Sequence, residues 1–183
     1  MRVLVAITGA SGAIYARQTL QLLLANAEVE RIGLIYSDHA EDIISAEGES
    51  LPEDSRIVRF SNDDMWSSAA SGSARWDAMV VVPASMGTVG RIAAGISRTL
   101  IERAADVMLK ERRRLVMVVR EAPYSLIHLR NMTTLTEAGV IIIPASPSFY
   151  FRPSNIEELC LSITTRTVEM LGLEVEHKHW GEE

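Results

Sequence analysis

Short, nearly unbroken apolar runs alternate along this chain with longer stretches in which apolar residues return every three or four positions. The runs lie at Val3–Ile7, Arg31–Tyr36, Ala78–Val82, Leu115–Val119 and Val140–Ile143, and are rich in Val, Ile and Leu. A strand covered on both faces reads in this way, because neither face has to meet water. Between the runs, helical patterns fall near Ile14–Leu24, Ala40–Ala46, Thr88–Ala94, Leu100–Leu109, Leu126–Ala138 and Ile156–Leu171. Such alternation predicts an α/β fold: a three-layer α/β/α sandwich with a parallel sheet, Rossmann-like or flavodoxin-like. Right-handed crossovers then bring the C-terminal ends of all strands to one edge of the sheet, where ligands bind.

Composition narrows the class further. At 183 residues, 48% hydrophobic and 23% charged, the chain suits a single domain over 1–183 with its own core and a polar tail at about 174–183. The polar interval 48–64 reads as a surface excursion carrying a short edge strand at Arg56–Phe60. No apolar run is long enough to span a bilayer, and Met1-Arg2 leads directly into the first strand, so neither membrane anchor nor secretory signal is expected. The single cysteine, Cys160, falls in an apolar helical pattern and fits a reducing, cytoplasmic setting. A formal charge of −6 argues against nucleic-acid partners, and in the basic cluster Lys110–Arg114 the arginines read mainly as cations complementing a helix C-terminus, a reading that leaves Lys110 aside.

The loops after the strands carry the candidate chemistry. Thr8-Gly9-Ala10-Ser11-Gly12 joins an apolar run to a helix, the arrangement in which free backbone N–H groups and a positive dipole end meet an anion. It lacks the six-residue G-x-G-x-x-G pattern, so a dinucleotide, a mononucleotide and a ligand-free helix entry all stay open. Asp38 keeps an NAD ribose contact possible, whereas Ser37 suits a neutral hydrogen bond to a ribityl chain or phosphate. Pro83-Ala84-Ser85-Met86-Gly87-Thr88 is a second cradle with two hydroxyls and a glycine. Arg120-Glu121 sets a fixed cation beside a titratable acid, readable as an active-site pair or as a structural ion pair. Tyr150 and Arg152 lie in an aromatic loop, 146–153, ahead of the last helix. That helix is expected to start with Ser154 as N-cap and Glu157 completing a capping box, which puts Arg166 about three turns along it. His39, His128, His177 and His179 form no metal-ligand spacing with Cys160, so no metal is expected.

Five segments together resemble one family. Gly9-Ala10-Ser11-Gly12-Ala13-Ile14-Tyr15, Pro83-Ala84-Ser85-Met86, the long block Arg103–Arg113, Val119-Arg120-Glu121-Ala122-Pro123 and Phe149-Tyr150-Phe151-Arg152-Pro153 look like those of the UbiX/Pad flavin prenyltransferases, a match running from Arg2 to Leu171. The resemblance implies a flavodoxin-like subunit, often a homo-dodecamer, that joins a dimethylallyl group from dimethylallyl phosphate to reduced FMN at N5 and C6. The prenylated FMN would serve UbiD-type decarboxylases. By motif matching, Gly9, Ala10, Ser11, Gly12, Ser37, Ser85, Met86, Gly87, Thr88 and Arg120 would hold FMN, with the glycine turn at its phosphate end. Lys110, Tyr150 and Arg166 would hold the prenyl phosphate, with Arg103 as a further contact. Glu47 and Glu121 match acidic positions used for proton handling and phosphate departure. Cations and aromatic faces suit a reaction in which a monophosphate leaves an allylic carbon.

The chain departs from the family at one position of the second cradle. Gly87 stands where Ser-Met-Lys-Thr carries lysine. An FMN-binding carrier or inactive UbiX-like subunit is the alternative this suggests. Flavin-dependent cysteine decarboxylases share the fold and the Pro-Ala-Ser loop, but use an Asn after its serine and a His upstream that this chain lacks.

Overall fold

The computed structural model describes residues 1–176. In chain order the elements are β1 (Arg2–Ile7), α1 (Ala13–Ala25), β2 (Arg31–Tyr36), α2 (Ala40–Ala46), β3 (Ile57–Phe60), β4 (Ala78–Ala84), α3 (Met86–Ala93), α4 (Leu100–Lys110), β5 (Arg114–Val119), α5 (Leu126–Glu137), β6 (Ile141–Pro144) and α6 (Ile156–Met170). Short 3-10 turns at Ser68–Ala70 and Gly72–Ala74 precede β4.

The expected strands form one sheet in the order β3-β2-β1-β4-β5-β6, every pair parallel. This is the doubly wound order in which the direction of winding reverses between β1 and β4, opening a crevice beyond their C-terminal ends. Period-two alternation divides the core into two layers. Val3, Val5, Ile7, Val80, Val82 and Val116 pack toward the α1/α6 side. Leu4, Ala6, Met79, Val81, Leu115 and Met117 pack toward α3 and α4.

At the first edge of the sheet the packing tolerates only glycine. A Cβ on Gly33 would lie 2.6 Å from Leu4 Cδ2 and 2.9 Å from both Phe60 and Trp76. Trp76 is buried against Phe60 edge-to-face, with ring centroids 6.0 Å apart, and Arg2 stacks over its indole.

The start of α6 differs from expectation by one residue. Asn155, not Ser154, is the N-cap: its side chain accepts the Glu158 N–H at 2.9 Å. Glu158, not Glu157, returns to Ser154, accepting its N–H at 2.7 Å and its hydroxyl at 2.9 Å. Glu157 is drawn instead to Arg17 and Gln18 of α1, tying α6 to the neighbouring helix. Most of the polar tail, with His177 and His179, lies outside the described residues.

Candidate active site

The C-terminal ends of β1, β2 and β4 open into a cavity of about 530 Å³. Its lining includes Gly9, Ser37, Ser85 and Thr88, four of the positions expected to hold flavin, together with Asn62, Arg91, Arg98 and Thr99.

Thr8 bolts the two cradles together. It is 1% exposed, donates its hydroxyl to Pro83 O at 2.7 Å and accepts the Ser85 N–H at 2.8 Å. Ser85 then caps α3, its Oγ lying 3.4 Å from Thr88 N and 3.1 Å from Thr88 Oγ1. This is why α3 begins at Met86, two residues ahead of the periodic pattern. Met86 and Ala10 are buried, so they shape the cradles from below. Gly87 is exposed on the first turn of α3.

The helix entry at Gly12 is already engaged by an anion of the chain itself. Gly12 adopts φ 112°, the left-handed region glycine favours, and α1 has no side-chain cap of its own. The Glu47 carboxylate supplies one, accepting the Gly12 N–H at 2.9 Å and the Ala13 N–H at 2.7 Å. Partial desolvation where the carboxylate meets the helix end acts to raise the otherwise exposed Glu47 carboxyl, but hydrogen bonds from Ser11, Gly12 and Ala13 and the Arg120 charge outweigh it and hold the group below the usual glutamate range. Arg120 donates from Nε to Ser11 O at 3.2 Å, closing the cluster. Glu121, next in the chain, is half-buried and accepts the Ala122 N–H at 2.9 Å. The acid and cation of Arg120-Glu121 therefore do not pair with each other: one faces the glycine turn and the other its own loop.

Tyr150 is exposed at the same edge, between the exposed Phe149 and Phe151. The other three candidates lie elsewhere. Lys110 ends α4, about 16 Å of helix from the cavity wall at Thr99, and pairs with Glu111. Arg103 turns away toward the 3-10 turn, donating to Ala70 O at 3.1 Å and to Asp106 at 2.7 Å. Arg166 stands far along α6 and bonds Glu169 at 3.0 Å.

Arg91, Arg98 and Asn62 also line the cavity, outside the set expected from the sequence. Asn62 accepts the N–H groups of Leu100 and Ile101 at 2.7 and 3.1 Å, through its backbone and side-chain oxygens, and so fixes the start of α4 at the cavity. Arg91 had one legible signal: it lies four residues beyond Gly87 and so on the same helix face.

The donor set fits a flavin mononucleotide. The volume lies within the about 300–1,000 Å³ of small-molecule sites, and hydroxyls, helix N-termini and guanidinium groups converge on it. Among the described residues no cluster of three or more His, Cys, Asp or Glu is placed to hold a metal ion, and no helix is long and apolar enough to cross a membrane.

Fold and site define a doubly wound flavoprotein, and the family described as Flavoprotein matches residues 1–169. The flavin prenyltransferase UbiX of Methanocaldococcus jannaschii is 42% identical over 188 residues, covering 99% of each chain. The solved structure of AnUbiX (PadA1) in complex with FMN and dimethylallyl pyrophosphate superposes with a TM-score of 0.88 at 40% identity, covering 98% of both chains. A dodecameric FMN-dependent UbiX-like decarboxylase from Escherichia coli O157:H7 gives 0.91 at 36% identity over 100% of both. The chain belongs to the UbiX flavin prenyltransferase family.

Proposed function

We propose that this chain transfers the dimethylallyl group of dimethylallyl phosphate to N5 and C6 of reduced FMN, releasing phosphate and prenylated FMN. It is a prenyltransferase that takes FMN as substrate. One observation carries the site-level reading: beside a flavin-sized cavity, the α1 N-terminus holds an ionised carboxylate on two backbone N–H groups next to Arg120. Those N–H groups suit the leaving phosphate. When it takes them, Glu47 is left beside its oxygens, placed to hold or return a proton. Reduced flavin supplies the nucleophilic ring atoms. Ser37, Ser85 and Thr88 hold and orient it, the Gly9–Gly12 turn borders it, and Arg120 clamps its edge. Glu121 is the second acid, and Tyr150 covers the prenyl group.

Lys110, Arg103 and Arg166 act on the phosphate from other copies of the chain in a homo-oligomer, for which the dodecameric relative is the precedent. Prenylated FMN is passed to a UbiD-type decarboxylase in the cytoplasm. The carrier reading rests on Gly87 alone.

The test is anaerobic incubation of the full chain with reduced FMN and dimethylallyl phosphate. Mass spectrometry is expected to show prenylated flavin, with stoichiometric phosphate release. FMN bound without product would establish the carrier instead. Glu121→Gln and Arg166→Gln should retain FMN and lose turnover, and unchanged turnover in both would remove these roles.

A further inference from the structure

Arg91 is held in a fixed orientation at the cavity wall. Its Nε pairs with Glu102, whose side chain is 2% exposed. The other Glu102 oxygen accepts the N–H groups of Arg98 at 2.8 Å and Thr99 at 3.0 Å, so this buried carboxylate is shared among three donors rather than spent on one. Arg91 Nη2 donates to Thr88 Oγ1 at 3.2 Å, and Nη1 lies 3.3 Å from the point a Cβ on residue 87 would occupy. The guanidinium is thus fixed along two edges, while about half of the side chain stays open to the cavity. Around it converge the N-termini of α3, capped by Ser85, and α4, capped by Thr99, with Ser37 and Arg98 in the same wall.

We infer that Arg91, with Arg98, binds the phosphate of FMN in the corner of the cavity between the starts of α3 and α4, supplying the charge that Gly87 leaves out. The inference rests on the flavin reading above, and moves the phosphate end of FMN away from the glycine turn, whose N–H groups Glu47 engages. Positions 87 and 91 are one helical turn apart on one face, so a cation rooted at either reaches the same corner. Asp38 and Asp63 also line the cavity and, like Arg91 and Arg98, are exposed and screened by water; Arg91 differs from them in being pre-oriented by a buried partner. A planar guanidinium whose Nη1 N–H groups remain available, beside an Nη2 already oriented by Thr88, matches phosphate geometry.

Riboflavin differs from FMN only in lacking the phosphate, so the pair isolates this contact. Binding to the full chain is followed by quenching of flavin fluorescence for wild type, Arg91→Gln, and Arg91→Gln combined with Gly87→Lys. Loss of a charge-assisted phosphate contact predicts about 10- to 100-fold weaker FMN binding in Arg91→Gln. Riboflavin binding should be unchanged, and the added lysine should recover most of the FMN affinity. FMN and riboflavin weakened together would mean a merely structural residue, and FMN unchanged would mean no phosphate contact; either overturns the inference. Dimethylallyl phosphate is also a phosphate monoester. A raised KM for it, with the FMN-to-riboflavin ratio unchanged, would place the donor in this corner and overturn the assignment to FMN. A wild-type chain that shows the Arg91-dependent ratio yet forms no prenylated flavin would sink the transferase reading and leave this inference standing.

Discussion

Replacing Glu47 by glutamine removes a charge from the start of α1 while keeping the shape of the side chain. In the native protein the carboxylate accepts Gly12 N–H at 2.9 Å and Ala13 N–H at 2.7 Å, on a helix whose own N-cap is a glycine without a side-chain acceptor. A side-chain cap contributes about 0.5–2 kcal/mol, and a negative charge at a helix N-terminus about 0.3–1 kcal/mol. Glu47 is exposed, so solvent screens its charge, and glutamine still offers one acceptor. The expected loss is therefore about 1 kcal/mol, a fall in Tm of about 2–4 °C for a chain of this size. The pH dependence fixes the cause. Glu47 titrates below its unfolded value, so its contribution is fully present above the unfolded glutamate pKa of about 4.3 and is lost as pH falls through the lower folded value. The wild-type advantage should be constant through neutral pH and close once both chains carry an uncharged side chain at this position. Urea titrations followed by circular dichroism, at one protomer concentration, measure it. Equal stability at neutral pH, or an advantage that persists undiminished in acid, would show that the carboxylate does not cap α1.

Two scaffold substitutions test how the site is held. Gly33→Ala forces a Cβ to within 2.6–2.9 Å of Leu4, Phe60 and Trp76, and overpacking of this kind costs about 1–3 kcal/mol, read as a lower urea midpoint; a neutral result would mean that the β2–β3 edge yields freely. Thr8→Val removes a hydroxyl that both donates to Pro83 O and accepts from Ser85 N, leaving buried groups unpaired at about 1–3 kcal/mol. Because Ser85 and Thr88 move with that loop, Thr8→Val should also weaken FMN binding, and full retention of affinity would show that the bolt is dispensable.

The sheet was legible because its strands are buried on both faces: Val3–Ile7 and Val80–Val82 have no solvent side, so the apolar runs mark them directly. The start of α6 is ambiguous by one residue in the sequence because Ser154 and Asn155 are both good caps, and Glu157 and Glu158 are both good responders. Arg17, distant in sequence, decides between them by taking Glu157. The stretch 61–77 carried no period to read. Its conformation is set by long-range bonds, Arg2 to Ala74 O and Arg113 to Gly72 O and Trp76 O. At the site, residues that directly follow strands could be located from the alternation alone. Arg91 could be placed only on the face of Gly87, because what sets it apart, a buried Glu102 presented to it by α4, is a contact between two helices.

Helix polarity explains why the remaining candidates are scattered. In this winding each helix that covers the sheet leaves the ligand edge at its N-terminus and reaches the opposite edge at its C-terminus, antiparallel to the strands. Lys110, the last residue of α4, and Arg166, about 15 Å along α6 from Ile156, are carried away from Tyr150 by that rule. Changes of side-chain rotamer do not span such lengths, so on the proposed reading the prenyl phosphate meets these cations only where another copy brings its own far edge to this one. The ligand edge is apolar enough to receive it: Leu126, Ile127, Phe149, Phe151 and Ile156 are all exposed there, more than scattered surface residues require. On that reading the flavin and the α1 N–H groups for the phosphate belong to one fold, and only the cations Lys110, Arg103 and Arg166 come with assembly, so disrupting the surface between copies should lower turnover more than FMN binding.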